Sequence, residues 1–205
     1  MQCFNEQEIE ALNHIYKINL INSCSGYKSA NLIGTKSTNN IENVAVFSSV
    51  THIGSSPAML GFFMRPTTVP RNTYTNIKKS QFYTINPIHN SIIADSHHTS
   101  AKYDASISEF DATNLESEYK NDFFAPFVKN APIQIAMQFV EEYHINANNT
   151  MLIIGKIKGL YINKNLIEND GFINLSEAQI AAINGLDGYA VPKNNTRFGY
   201  QRPKY

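Results

Sequence analysis

Apolar residues change their spacing early in the chain, from a helical pattern to a strand pattern. Over residues 5–20 they lie three and four positions apart, which predicts a short amphipathic helix. Beyond it, short runs rich in β-branched and aromatic residues alternate with Gly, Pro, Asn and Ser, which predicts antiparallel strands. In the first half of the chain these runs cover residues 29–35, 44–50, 59–64 and 81–86.

Helical signals interrupt this pattern at three places. Residues 71–80 offer Asn72 as an N-cap and lysines in the last turn, an arrangement that the helix dipole favours. Residues 87–98 are a second helical candidate, and the polar segment after them is expected to be a long loop with few core residues. A capping box from Ser176 to Gln179 predicts a short helix that ends at Gly185.

The strand pattern resumes in the second half of the chain. Residues 133–140 and 151–162 predict two long strands joined by a polar turn at residues 144–149. Many short antiparallel strands with only small helices predict a mainly β protein, a closed β-barrel of six or more strands with short flanking helices. A length of 205 residues suits one core, so we expect a single domain over residues 1–205.

Charge and hydropathy disfavour two classes of partner. With 17 basic and 17 acidic residues the formal charge is zero, so no overall field attracts nucleic acid or an anionic membrane. No apolar run approaches the length of about 20 residues that spans a bilayer, and the N-terminal residues carry acids where a signal peptide carries lysines. We therefore expect a cytoplasmic protein. Cys3 and Cys24 are too far apart for a CxxC motif and are expected to be free thiols.

Signatures of the common catalytic sites are missing from the sequence. It contains no GxSxG, HExxH or GxGxxG motif and no Walker lysine loop. His97 and His98 are adjacent and cannot easily face one metal ion, so no metal site is expected. Glu141 and Glu142 are interpreted as a solvated strand end. No catalytic side chain is identified, which directs attention to a bound cofactor.

The stretch around residues 48–56 is rich in hydroxyls and small side chains. Ser48, Ser49 and Thr51 can donate hydrogen bonds, and the small residues from Gly54 to Ser56 allow a flat ligand or a neighbouring backbone to come close. Such residues are also ordinary on a half-buried strand. Both interpretations stay open for this stretch taken alone.

Two arginines then flank the segment Pro-Thr-Thr-Val-Pro. Arg65 and Arg71 precede Asn72 and Thr73, where the helix predicted over residues 71–80 begins. Guanidinium groups, hydroxyls and free amides at a helix start are the groups that hold a phosphate monoester, although both arginines could also be plain surface charges. Together with the hydroxyl stretch, the pattern suits flavin mononucleotide (FMN).

These segments resemble the flavin reductase-like family, the FMN-binding split barrels. Residues 32–35 and 43–48 are similar to its strand that ends in Gly-Thr and its following Asn-x-Ala-Pro-Phe-Ser, with Val46 where Pro is common. The later Arg-Pro, basic-x-Thr and Asn-Ile pattern is similar to Arg65-Pro66, Arg71 to Thr73 and Asn76-Ile77. Glu109-Phe110 and the tail RFGYQRP extend the resemblance over the whole chain.

The resemblance implies FMN bound in a groove at a homodimer interface. It places the flavin ring beside Phe47, Ser48, Ser49, Val50 and Thr51, and the phosphate beside Arg65, Thr67, Arg71, Thr73 and Asn76. The implied activity is hydride transfer from NADH or NADPH onto flavin, with electrons passed to a small-molecule acceptor or a partner oxygenase. Two alternatives stay open: a non-enzymatic FMN-binding or electron-carrier protein, and a split barrel that binds haem or another planar ligand.

Overall fold

The computed structural model describes residues 1–204 and consists mainly of short antiparallel strands. The helices are α1 (Glu6–Ala11), α2 (His14–Cys24), α3 (Asn72–Ser80) and α4 (Ile93–His98). The strands are β1 (Lys28–Ser29), β2 (Asn31–Lys36), β3 (Glu42–Phe47), β4 (Thr51–Ser55), β5 (Ala58–Met64), β6 (Phe82–Pro87), β7 (Ser117–Glu118), β8 (Phe127–Val128), β9 (Ile133–Ile145), β10 (Thr150–Ile162), β11 (Ala182–Asn184) and β12 (Gly188–Ala190).

Seven of these strands form the main sheet, in the order β3-β2-β6-β9-β10-β5-β4. Its two edge strands, β3 and β4, follow each other in the chain and are joined by residues 48–50. Phe47 of β3 packs edge-on against Phe62 of β5, with ring centroids 5.0 Å apart, so the two sides of the sheet meet around a common core. No ladder joins β3 to β4 within residues 1–204, so the expected closed barrel is a split one.

The interior of this barrel is apolar and well filled. Ile33, Phe62, Tyr83, Met137 and Ile153 are fully buried in one cluster, and Ile77 of α3 packs against the same cluster. Burial of residues of this size stabilises a fold by about 1.5 to 3 kcal/mol per side chain. The helix that begins after Arg71 is therefore part of the barrel core and is not a surface appendage.

A second core lies on the other side of β2 and β3. It joins Leu32 and Val44 to residues from the long loop and from β11. The loop over residues 99–117 contributes Phe110 and Leu115 to this core, which agrees with the expected long loop with few core residues. These two residues pack against Leu32 and Val44, so the loop folds back over β2 and β3.

The N-terminal helix predicted over residues 5–20 is two helices. α1 ends where Leu12 adopts an extended backbone, and Asn13 starts α2 by accepting a 3.1 Å hydrogen bond from the amide of Ile15. An asparagine side chain competes with the helix for backbone amides and so favours a cap over an interior position. The periodic apolar pattern continues through the break, which is why it did not reveal it.

The helix predicted from the capping box at Ser176 does not form. Residues 175–179 make turns, the amide of Glu177 is capped by Asn174 at 3.1 Å, and Gln179 has a left-handed backbone with φ of 50°. Ile180 then forms a bridge with His89 and is buried. Pairing with the barrel rim therefore ends the turn before a helix can propagate, and β11 follows.

Other predicted elements are confirmed with shifted bounds. The strands of the main sheet are found except that β4 was not recognised, and the polar turn between β9 and β10 covers residues 146–149. The candidate helix at residues 87–98 is a 3-10 turn at Asn90–Ile92 followed by α4.

Three simple properties of the described chain bear on its function. None of the helices in residues 1–204 is long and apolar enough to cross a bilayer. Within the same residues, no group of three or more His, Cys, Asp or Glu side chains is arranged to hold a metal ion. Cys3 and Cys24 are both exposed free thiols.

Candidate functional site

The helix α3 begins at the loop that carries the two arginines. Arg71, not Asn72, is its N-cap, with an extended backbone, and no side chain makes a capping hydrogen bond there. Lys78 and Lys79 lie in the last turn, as predicted. The first backbone amides of α3 are therefore left without a side-chain acceptor, at the end of the helix where the dipole favours an anion.

Two buried hydrogen bonds hold one side of α3 against the barrel. Asn43 Nδ2 donates to Thr73 Oγ1 at 3.1 Å, and Asn76 Nδ2 donates to Thr35 Oγ1 at 3.1 Å. All four side chains are buried. Thr73 and Asn76 therefore fix the helix to β2 and β3 through their side chains, and sequence reasoning did not identify Thr35 and Asn43 as their partners.

The guanidinium groups of Arg65 and Arg71 have no acidic partner among the described ion pairs. Arg197, by contrast, binds two carboxylates. Nε of Arg71 is buried and has no hydrogen-bond partner in the protein, while Arg65 and Thr67 are exposed. A buried donor without an acceptor costs about 1 to 3 kcal/mol, so an anion at this place would relieve a real deficit.

The stretch from Phe47 to Thr51 joins the two edges of the sheet. Ser49 Oγ accepts the amide hydrogen of Phe63 at 3.0 Å and donates to the carbonyl oxygen of the same residue at 3.1 Å. The carbonyl of Val50 accepts from Ser29 Oγ at 2.8 Å. Ser49 and Val50 thus hold the stretch in place, while Ser48 is half-buried and Thr51 begins the exposed edge strand β4.

The strand β3 connects the two groups of candidate residues. Asn43, near its start, contacts Thr73 of α3, and Phe47 ends it four residues later. At about 3.3 Å per residue, the strand separates these points by about 13 Å. Ring-side and phosphate-side candidates therefore lie along one strand, with the arginine loop at the α3 end.

Glu109 fixes this strand at its free edge. Its carboxylate oxygen Oε2 accepts the amide hydrogen of Val44 at 3.0 Å, next to Asn43. Burial raises the pKa of Glu109 above its ordinary value, against the opposing effect of backbone hydrogen bonds. The Glu-Phe pair of the long loop thus has a structural role beside the candidate site.

Glu142 is not the solvated strand end that its sequence context indicated. It lies within β9, and its Oε1 accepts from Tyr74 at 3.1 Å and pairs with Lys78 at 3.2 Å.

The two histidines of α4 have tyrosine partners. His97 lies 3.3 Å from the hydroxyl of Tyr189, and His98 lies 2.6 Å from that of Tyr103.

Comparison with known proteins relates this geometry to one family. Residues 27–176 match the family model described as flavin reductase like domain. The chain belongs to this family. Its membership supports a flavin-related oxidoreductase and agrees with the split barrel described above. A search of curated proteins gave no match.

Solved structures with the same fold cover nearly the whole chain. A protein from Shewanella frigidimarina described as a flavin reductase with a split barrel domain is 41% identical, covers 98% of this chain and 100% of its own, and has a TM-score of 0.94. Component B of nitrilotriacetate monooxygenase from Bacillus cereus is 15% identical, with 97% and 98% covered and a TM-score of 0.83. The FMN-binding protein from Thermus thermophilus is 12% identical, with 97% and 100% covered and a TM-score of 0.74. The last two likenesses concern the fold alone.

Proposed function

We propose that this protein binds FMN and oxidises NADH or NADPH, passing the electrons to a second acceptor. The observation that carries the proposal is the start of α3, where Arg71 holds a buried donor without a protein acceptor. Family membership and the 41% identity to a protein described as a flavin reductase support the same conclusion.

The phosphate would be held at the arginine loop. Arg71 would donate from its guanidinium group, the free amides of the first turn of α3 would add neutral donors, and Arg65 and Thr67 would close the exposed side. Thr73 and Asn76 would contribute by fixing the helix, since both side chains already bind the barrel. Charge-assisted hydrogen bonds of this kind are stronger than neutral ones, which suits a dianionic phosphate monoester.

The ring would lie beside residues 47–51. Phe47 is half-buried and packed on Phe62, and the hydroxyl of Ser49 is already bonded to Phe63, so these two side chains would support the wall of the groove. Ser48 and Thr51, together with backbone groups of the stretch, would supply hydrogen bonds to the ring edge. A rigid wall of this kind orients a planar ligand.

Bound FMN would accept a hydride from the nicotinamide and release electrons to the acceptor. The chain would therefore need no nucleophile or general base of its own. Its residues would bind the phosphate, orient the ring and leave one face open. A protein that binds a reactive cofactor in this way needs no catalytic motif of its own, which agrees with the sequence.

We further propose that two copies of the chain form a homodimer with FMN at the interface. The electron acceptor would be a small molecule or a partner oxygenase. The likeness in fold to a protein named as a monooxygenase component supports the second option.

The proposal is tested by the absorption spectrum of the purified protein from 300 to 500 nm, before and after addition of FMN and then of NADH or NADPH without oxygen. We expect flavin bands that shift on binding and bleach with the nicotinamide, faster than with free FMN at the same concentration. Bands that persist would favour the electron-carrier alternative. A spectrum that never departs from that of free FMN would overturn FMN binding, and a Soret band on addition of haem would favour the haem alternative.

A further inference from the structure

The side of α3 that faces away from β2 is held by one carboxylate. Glu142 Oε1 accepts a hydrogen bond from the hydroxyl of Tyr74 at 3.1 Å and pairs with the ammonium group of Lys78 at 3.2 Å. Tyr74 and Lys78 are one helical turn apart and lie on the same face of α3. Lys78 also lies 4.6 Å from the centre of the Phe139 ring on β9. Glu142 of β9 therefore binds two successive turns of the helix.

This contact is partly shielded from solvent. The side chain of Glu142 is 28% exposed and that of Lys78 is 38% exposed, and Oε2 of Glu142 is buried without a partner. Burial, together with the hydrogen bond to Glu142, raises the pKa of Tyr74, so its hydroxyl stays a donor at neutral pH. Because one oxygen of Glu142 binds both Tyr74 and Lys78, its carboxylate is restrained in position.

α3 is thus anchored on two opposite sides. Thr73 and Asn76 bind β3 and β2, while Tyr74 and Lys78 bind β9. A helix of nine residues is too short to be stable by itself, so its tertiary contacts decide its orientation. Loss of either anchor would leave the helix freer to rotate about its axis, with the burial of Ile77 as the remaining restraint. The same rotation would move Arg71 and the free amides of the first turn.

We infer that Glu142 is a positioning residue for the phosphate end of the cofactor site. It sets the rotation of α3 through Tyr74 and Lys78, and thereby the direction of the donors at the start of the helix. The inference rests on the proposed function, since it assigns to Glu142 a part in holding the phosphate group of FMN. It predicts an effect confined to ligands that carry that phosphate.

Comparison of FMN with riboflavin, which has the same ring but no phosphate, tests the inference. For Glu142→Ala we expect FMN to bind about fivefold more weakly, the effect of about one lost hydrogen bond, with riboflavin changed by less than about twofold. Glu142→Gln should recover most of the FMN affinity, because its amide oxygen can still accept from Tyr74. Glu141→Ala is the matched control, since it removes the neighbouring carboxylate of the same strand without touching α3.

Equal weakening of FMN and riboflavin would show that Glu142 only stabilises the barrel, and unchanged FMN affinity would show that the anchor does not reach the site. Either result would overturn the inference while leaving the proposed function intact. A wild-type protein that binds neither flavin would instead overturn the proposed function. If Glu142→Ala does not fold, Tyr74→Phe makes the same test, because it removes a single hydrogen bond and keeps the ring.

Discussion

The hydroxyl of Tyr83 lies directly over Gly155 in the barrel interior, so close that a methyl group on Gly155 would overlap the hydroxyl oxygen. It would also come within 3.0 Å of the Gln138 carbonyl oxygen. Gly155→Ala should therefore lower the free energy of unfolding by about 1 to 3 kcal/mol, the usual range for overpacking a filled core. Urea denaturation measures this change.

The matched control for this substitution is Gly159→Ala on the same strand. A methyl group there would meet its nearest atom, on the ring of Tyr161, at an ordinary 3.5 Å. We expect a clearly smaller loss of stability than at Gly155. Equal losses at the two positions would contradict the close approach of Tyr83 as the cause.

The Tyr83 hydroxyl is itself buried without a hydrogen-bond partner. Tyr83→Phe should therefore raise the free energy of unfolding by about 1 kcal/mol at pH 7, because an unsatisfied polar group is removed from the core. Chemical denaturation of the variant and the wild type measures the difference. A variant that is less stable at pH 7 would show that the hydroxyl has a partner after all.

The same substitution should change the alkaline limb of the stability profile. Burial raises the pKa of Tyr83 above the value of about 10 for an unfolded tyrosine. Below that value the hydroxyl is neutral in both states, so its titration does not affect stability. As the pH rises above it, the unfolded chain ionises the group and the folded chain does not, which lowers the free energy of unfolding. Tyr83→Phe should therefore lose less stability than the wild type between pH 10 and pH 11, measured in the same titration.

Sequence periodicity located the strands of the barrel where burial is strong, and it failed where burial is weak. β10 is rich in Ile and Leu, and Met151, Ile153, Ile154 and Gly155 of its first half are buried. β4, in contrast, is an edge strand with four of its five residues exposed, so it has no apolar pattern to recognise. The helix predicted at Ser176 was wrong for a different reason. Ile180 pairs with His89, a residue distant in the chain, and no local pattern contains that contact.

In the candidate site, too, some residues could be predicted from the sequence and others could not. Arg71 and Thr73 could be chosen from local spacing, because a helix start after a basic loop is a local feature, and Asn76 was implied by the family resemblance. Their partners could not, since Asn43 is 30 residues from Thr73 and Thr35 is 41 residues from Asn76. Glu142 lies 68 residues from Tyr74 and was interpreted as solvated for the same reason. The fold of the barrel decides which residues hold the site in place. The sequence alone does not show which distant residues the fold brings together.

The C-terminal segment is fixed to the body of the protein by Arg197. Its guanidinium group donates to Glu168 at 2.7 Å, bonds to Asp170 and lies 4.1 Å from the centre of the Phe172 ring. The hydrogen bond from Arg197 is the main cause that holds the pKa of Asp170 below its ordinary value. Arg197→Ala should therefore lower the backbone order parameters of residues 191–204, measured by nitrogen NMR relaxation.

This ordering should depend on pH because the pKa of Asp170 is lowered. The contact should be complete above about pH 4, the value for an unfolded aspartate, and should be lost as the pH falls through the lowered pKa. Arg202→Ala is the control, since it removes a charge from the same segment and makes none of these contacts. Order parameters that are the same in Arg197→Ala and the wild type at neutral pH would contradict the anchor.

The sharpest test of the cofactor site is Arg71→Ala. If the buried Nε and its guanidinium group bind the phosphate, loss of a charge-assisted hydrogen bond should weaken FMN by about 1.5 to 3 kcal/mol, or about ten- to a hundredfold in Kd. The change is measured by titration of flavin fluorescence, with Arg202→Ala as a control that removes the same charge far along the chain. Riboflavin affinity should stay the same in both variants. FMN affinity that is unchanged in Arg71→Ala would remove this residue from the site, because the proposed function assigns its guanidinium group to the phosphate.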